Sequence, residues 1–319
     1  MKILFNKKML LHNQGSEVEG PYRLSKLSDI VPDSKPDTNG SRAILTVHSK
    51  EYVDLIKEAS RRNEHMAEVD TTRETYLSAV LGVGLSVDAA LSNNFAAVRP
   101  PGHHAAANRA SGFCFFNNMA IAALHLANKG SRVLVIDVDG HHGDGTQEIL
   151  NEKGYYRNTM YSSVDQENAW PQTIRHSGIT HKNGKATSVN ILVPKGAADD
   201  LLITSVDLIL HASMEFRPDV IGVSLGVDGH RDDKLLKLRY TERGFYELGR
   251  MLKKSGTKIF GILEGGYHDR VVECILGFVS GVNGDEFPYD MLHSVSDERT
   301  RNRFNYLINP LRESLRRGR

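Results

Sequence analysis

The chain has 319 residues, 40% hydrophobic and 25% charged, with a net charge of +1. That balance fits a globular protein with a sizeable core and gives no electrostatic ground for a nucleic-acid or polyanionic partner. Two cysteines, Cys114 and Cys274, make no disulfide framework, and the polar start MKILFNKKMLLHNQG is neither a signal peptide nor a membrane span; a cytoplasmic protein with no membrane partner is expected.

In chain order, Lys2–Phe5 reads as a short strand and 28–41 as a loop with two prolines. Residues 49–61 form a predicted helix behind a Ser49 cap, and 74–92 a second helix. A strand is expected at Phe95–Arg99, then a loop over 100–112, then a buried helix over 115–129. Val133–Ile136 is a short apolar run rich in β-branched residues, bounded by Gly130 and Gly140, and reads as a strand buried on both faces. Further strands are expected at Thr159–Ser163, Ser188–Val193, Asp219–Ser224 and Lys258–Leu263, with an irregular stretch over 165–187. Helices are expected at 199–215, 241–254, 268–282 and 296–317. Alternating strands and helices imply a three-layer α/β architecture with a mostly parallel sheet, as one domain over 1–319. Its core covers about 1–285, with a helical extension over about 286–319.

The chemistry concentrates after four of these strands. Asp137, Asp139, His141, His142 and Asp144 follow the central one, punctuated by Gly140, Gly143 and Gly145. Alternate residues of an extended chain point the same way. Asp139 and His141 can therefore share a divalent metal, and zinc accepts both ligand types. Phe95–Arg99 leads to His103-His104, Asp219–Ser224 to Asp228, and Lys258–Leu263 to Glu264-Gly-Gly-Tyr267. Parallel strands bring all four segments to one sheet edge, where α/β folds bind ligands. Asp228 is then the third metal ligand, which leaves an open position for water and substrate. Asp137 and Asp144 are available to orient the two imidazoles. Tyr267 supplies a phenol for a developing oxyanion. A competing pattern, Gly222-Val-Ser-Leu-Gly226, matches a nucleophile elbow. It is short, and Asp228 arrives where that fold needs a helix, so Ser224 reads as structural.

These segments resemble the histone deacetylase family in the broad sense, class II-like and including acetylpolyamine amidohydrolases. The matching motifs are Arg99-Pro-Pro-Gly-His-His104, Gly112-Phe-Cys-Phe-Phe-Asn117, Asp137-Val-Asp-Gly-His-His-Gly-Asp-Gly-Thr-Gln147, Gly226-Val-Asp228 and Leu263-Glu-Gly-Gly-Tyr267. Weaker echoes are Glu19-Gly-Pro-Tyr-Arg-Leu24 and Val47-His-Ser-Lys-Glu-Tyr-Val53. The resemblance implies an arginase/deacetylase-like fold and a zinc-dependent amidohydrolase that releases acyl groups, acetyl above all, from acyl-lysine or similar acylated amines. It implies Asp139, His141 and Asp228 as zinc ligands, His104 with Asp144 as general base and acid, and His103 with Asp137 as its electrostatic partner. It further implies Tyr267 as oxyanion donor, and an acyl channel lined by Gly112 and Phe113 with Trp170 opposite. A structural potassium ion is implied at Asp137, Asp139, His141, Ser163 and Val164.

Three departures stand out: Asp165 occupies a position that is usually histidine in the family, Pro171-Gln-Thr-Ile174 replaces the usual P-G-T-G, and Glu17-Val-Glu19 replaces the usual H-P-E near the start. The resemblance aligns Leu235 with the channel gatekeeper, an apolar residue with no partner for a second substrate charge; Asp165 or Glu167 is the alternative source of a rim carboxylate. Three rival functions remain at this stage. An acetylpolyamine amidohydrolase uses the same chemistry on a small cation. A non-catalytic acyl-lysine binder needs neither Tyr267 nor the His–Asp pairs. A two-metal arginase-type hydrolase needs more carboxylates than Gly229-His230 supplies.

Overall fold

Val133–Asp137 carries no polar residue before its last position, and all five residues are buried. A strand so apolar needs cover on both faces, which places it at the centre of a sheet. In the computed structural model, which describes residues 1–13, 15, 18–66, 68–152 and 157–317, this strand is β5 of ten. The others are β1 (Ile3–Leu4), β2 (His65–Met66), β3 (Val69–Asp70), β4 (Phe95–Ala96), β6 (Thr159–Gln166), β7 (Gly178–Lys182), β8 (Lys185–Val193), β9 (Val220–Leu225) and β10 (Lys258–Leu263). Eight of them form one sheet in the order β1-β4-β10-β9-β5-β6-β8-β7. Every pairing in it is parallel except β7 with β8.

Helices cover the sheet. Thr75–Ser92 and Asn118–Ala127 share a continuous buried core with the strands, as do Asp199–Ala212, Glu242–Lys254 and Val271–Asn283. Thr75–Ser92 is long and apolar enough to span a bilayer by composition, but 61% of it lies inside the fold. The C-terminal helices Glu298–Leu307 and Asn309–Arg317 bury Phe304 and Leu311 in the same core, with Ile308 between them.

Several boundaries differ from the sequence expectation, each for a local reason. The helix expected over 115–129 begins at Asn118, because the Asn117 side chain caps it by accepting the Ala120 amide. The strand expected at Phe95–Arg99 pairs only over Phe95–Ala96. The irregular 165–187 stretch contains the end of β6 and a hairpin, β7–β8. A short helix, Asp144–Asn151, occupies a region whose flanking glycines read as loop. The helix expected over 296–317 is two helices, with Pro310 near the start of the second. Leu27–Ile30 and Gly40–Ala43 make single helical turns at the ends of the 28–41 loop.

Candidate metal centre and channel

The four strands that lead into polar segments are neighbours in the sheet: β4, β10, β9 and β5. Being parallel, they deliver His103-His104, Glu264–Tyr267, Asp228 and Asp137–Asp144 to one carboxyl edge. Glu264 ties this edge together: it accepts the Gly102 amide at 2.7 Å, the His103 amide at 3.1 Å and the Ser224 hydroxyl at 3.1 Å. Ser224 is therefore a buried structural donor, and the nucleophile-elbow pattern carries no chemistry here.

Asp139, His141 and Asp228 bring one ligand atom each to within 4.8 Å of one another. His141 Nδ1 lies 2.6 Å from Asp228 Oδ2 and 3.4 Å from Asp139 Oδ1. Backbone amides fix the carboxylates: Gly140 donates to Asp228 at 2.7 Å and Gly265 to Asp139 at 2.8 Å. A side chain at position 226 would run into the Asp139 carboxylate, so glycine is required there. Burial, then the neighbouring Asp139, pushes the Asp228 carboxyl up to about 8. Two buried carboxylates in contact, with a single imidazole between them, hold protons where a cation would replace them, and they offer oxygen and nitrogen ligands at one point. The set fits a divalent cation of the zinc type.

Two His–Asp pairs flank the triad. His103 Nδ1 lies 3.2 Å from Asp137, and His104 Nδ1 2.9 Å from Asp144. The rings stand 3.9 Å apart but behave oppositely. Burial disfavours charge on His103, yet Asp139 and Asp137 outweigh it and hold its pKa well above the ordinary value. Burial and then charged His103 press His104 down to about 3, against the pull of Asp144. His104 is thus neutral near pH 7, with Nδ1 committed to Asp144 and Nε2 free to accept a proton.

The centre opens to solvent through a cavity of about 370 Å³ lined by Glu68, His104, Gly112, Phe113, His141, Trp170, Leu235 and Tyr267. All four residues expected to line a channel are there, and so are His104, His141 and Tyr267. Trp170 packs edge-on to His104 at 4.7 Å, and Phe113 to Tyr267 at 5.8 Å. Gly112 has φ +52°, and a Cβ there would meet His104 at 2.5 Å and Trp170 at 2.9 Å. Leu235 is 42% exposed at the rim, and Asp233 fixes its loop by accepting the amides of Leu235 and Tyr267.

Four functional neighbours were missed in the sequence. Glu68, on the turn between β2 and β3, is exposed and accepts the Ser111 hydroxyl at 2.5 Å; no motif marks it. Arg23 lies 5.0 Å from the Tyr267 ring and donates to the carbonyls of Gly266 and Glu264. Glu19 pairs with both Arg23 and Arg99 in full burial. The echo at 19–24 was the available signal for Glu19 and Arg23. Asp233 stands two residues before Leu235, and no motif marks it. The two alternative rim carboxylates fail on position. Asp165 is buried against Ser163 and His142, and Glu167 pairs with Arg303. Of the residues implied for potassium, Asp137 and Ser163 are register partners on β5 and β6, with Val164 next along. The second oxygen of Asp165 is buried there without a hydrogen-bond partner.

A histone deacetylase domain profile matches residues 17–281. The chain belongs to the histone deacetylase family. It is 34% identical over 310 residues to a protein of Methanothermobacter thermautotrophicus named "Probable deacetylase", covering 90% of this chain and 92% of that one. It is 32% identical over 253 residues to the acetylpolyamine amidohydrolase of Burkholderia pseudomallei, covering 75% and 72% respectively. Among solved structures, the HDA15 HD domain superposes with a TM-score of 0.82 at 28% identity, covering 98% of this chain and 96% of that one. The acetylpolyamine aminohydrolase of Burkholderia pseudomallei superposes with a TM-score of 0.78 at 26% identity, covering 88% and 98%. The arginase/deacetylase-like fold and a hydrolytic deacetylase activity on acylated amines follow from this membership and the intact site.

Proposed function

We propose that this histone deacetylase family member is zinc-dependent and removes acyl groups, acetyl above all, from lysine side chains. The observation that carries the reading is one cavity. Its apolar walls, Phe113, Trp170 and Leu235, suit an alkyl chain, and it also reaches His104, His141 and Tyr267. Asp139, His141 and Asp228 would hold the zinc. When bound, it supplies a Lewis acid that polarises the acyl carbonyl and lowers the pKa of water.

The chain's own residues do the rest. His104 Nε2 takes a proton from the attacking water while Asp144 holds Nδ1 and fixes the tautomer. Cationic His103, held by Asp137, adds positive charge beside the developing oxyanion. The Tyr267 phenol stays protonated, because burial raises its pKa well above the ordinary value, and it donates to that oxyanion. His104 then passes its proton to the leaving amine. The products are a carboxylate and a free amine. Changing His104 to Ala should cost turnover by roughly 10²–10⁴-fold while zinc content stays normal. Near-normal turnover would move the role to His103.

A structural potassium ion at Asp137, Asp139, His141, Ser163 and Val164 is proposed on the same footing, supported by the adjacency of Asp137 and Ser163. So is a single catalytic domain over 1–319, supported by the C-terminal residues in the central core.

One observation favours a second reading. Glu68 offers a carboxylate among the cavity-lining residues, which suits the distal ammonium of an acetylpolyamine. Leu235 offers no such partner, and exposed Lys234 stands beside it. The zinc-loaded protein should give a higher kcat/KM on acetyl-lysine peptides than on N8-acetylspermidine. Faster turnover of acetylspermidine than of every peptide tested would make the polyamine reading the correct one.

A further inference from the structure

Two histidines outside the metal centre, on the loops that carry Asp228 and Tyr267, are stacked face to face. His230 and His268 lie 4.3 Å apart with 13° between their planes, and both are buried. Each has its tautomer set by a neighbouring amide. Arg270 N donates to His268 Nδ1 at 3.2 Å, which leaves the proton on Nε2, and that proton goes to the Val227 carbonyl at 2.9 Å. Asp232 N donates to His230 Nδ1 at 3.2 Å, and His230 Nε2 donates to Glu242 at 3.3 Å. Glu242 is also held by the Arg270 guanidinium at 2.5 Å. Burial, then the adjacent His230, holds the His268 pKa down to about 4, so the ring is neutral.

The chain positions give this cluster its meaning. His268 follows Tyr267, and Val227 precedes Asp228. One hydrogen bond therefore joins the loop of the proposed oxyanion donor to the loop of the third metal ligand. The Val227 amide, donating to the Gly265 carbonyl at 3.0 Å, is a second tie between the same loops. The tie is tight, since a side chain at position 266 would collide with Val227. Resting on the deacetylase reading for its catalytic consequence, we propose that His268 is a positioning residue: stacked on His230 and bonded to Val227, it holds Tyr267 and Asp228 in register across the metal site.

The test compares His268→Phe, which keeps ring shape and stacking but cannot donate, with His268→Gln, whose amide can still reach Val227. Each is made in the unmodified chain and with Tyr267→Phe. Steady-state turnover is followed across a range of acetyl-lysine peptide concentrations, zinc affinity by competition with a chelator, and folding by Tm. His268→Phe should lower kcat about 10-fold or more at unchanged KM and weaken zinc binding about 10-fold. His268→Gln should recover most of both. With Tyr267→Phe present, the kcat loss from His268→Phe should shrink several-fold, because one of the two groups being positioned is gone; what remains acts through Asp228 and the metal. An equal loss in both backgrounds overturns the hold on Tyr267, and unchanged zinc affinity overturns the hold on Asp228. If the unmodified chain turns over neither the peptide nor acetylspermidine, the deacetylase reading is what fails; the zinc arm still decides the clamp.

Discussion

Asp228 does two jobs with its two oxygens. One accepts the Gly140 amide at 2.7 Å, and the other faces His141 Nδ1 at 2.6 Å. Burying a carboxylate beside a second carboxylate is costly unless a cation or proton compensates it, which is why burial and then Asp139 push its pKa up. Metal ligands must be deprotonated, so zinc binding should release a proton from this cluster near neutral pH. Asp228→Ala removes one ligand of three and leaves the Gly140 amide without its partner. The purified variant should carry far less zinc than the unmodified chain, measured by elemental analysis, and turnover should fall with it. Full zinc occupancy in that variant would sink the assignment of the three ligands. The site's other residues depend on such second partners in the same way: Asp139 on the Gly265 amide, His104 on Asp144, and Tyr267 on Arg23 and Asp233.

At the scale of elements, the loop over Gly112-Phe113 shows how backbone shape decides what the channel can be. Both residues have positive φ, +52° and +67°, and the glycine lets the loop approach His104 and Trp170 closely. In Gly112→Ala the methyl group would sit 2.5 Å from His104 and 2.9 Å from Trp170. The expected outcome is a roughly 10²-fold fall in kcat as His104 shifts, with a stability loss of about 1–2 kcal/mol for the left-handed backbone. Kinetics and chemical denaturation check the two separately, and normal kcat would mean that the loop yields instead of His104. The four strand ends that carry the site were legible in the sequence because each couples a buried apolar run to glycine and ionisable residues. The elements that escaped lack that contrast. The helix Asp144–Asn151 starts between Gly143 and Gly145, and β7 alternates too weakly to stand out from its polar surroundings. Glu68 reaches the cavity through the tertiary packing of a two-stranded hairpin, which no local pattern encodes.

For the molecule as a whole, acid stability is set partly by histidines that the fold keeps neutral. His48 is buried, donates from Nδ1 to the Ala107 carbonyl at 2.8 Å, and accepts the Asn117 amide on Nε2 at 2.9 Å. Protonating Nε2 would turn that second bond into a clash of donors. Burial lowers the His48 pKa from 6.5 to about 4, with the Ala107 carbonyl pulling the other way. The folded state therefore binds fewer protons than the unfolded chain between pH 6.5 and 4. Stability rises with pH across that window, so the contribution of His48 is complete above about 6.5 and is lost as pH falls toward 4. At about 1.4 kcal/mol per unit, this single group accounts for roughly 3 kcal/mol over the window. The glutamine amide in His48→Gln can donate to Ala107 and accept from Asn117 without titrating. Its unfolding free energy should decline less steeply than that of the unmodified chain between pH 6.5 and 4. Zinc release in acid affects both proteins alike, so the difference between their slopes isolates the histidine, measured by urea denaturation at half-unit pH steps. Identical slopes would show that His48 is not the acid-sensitive group.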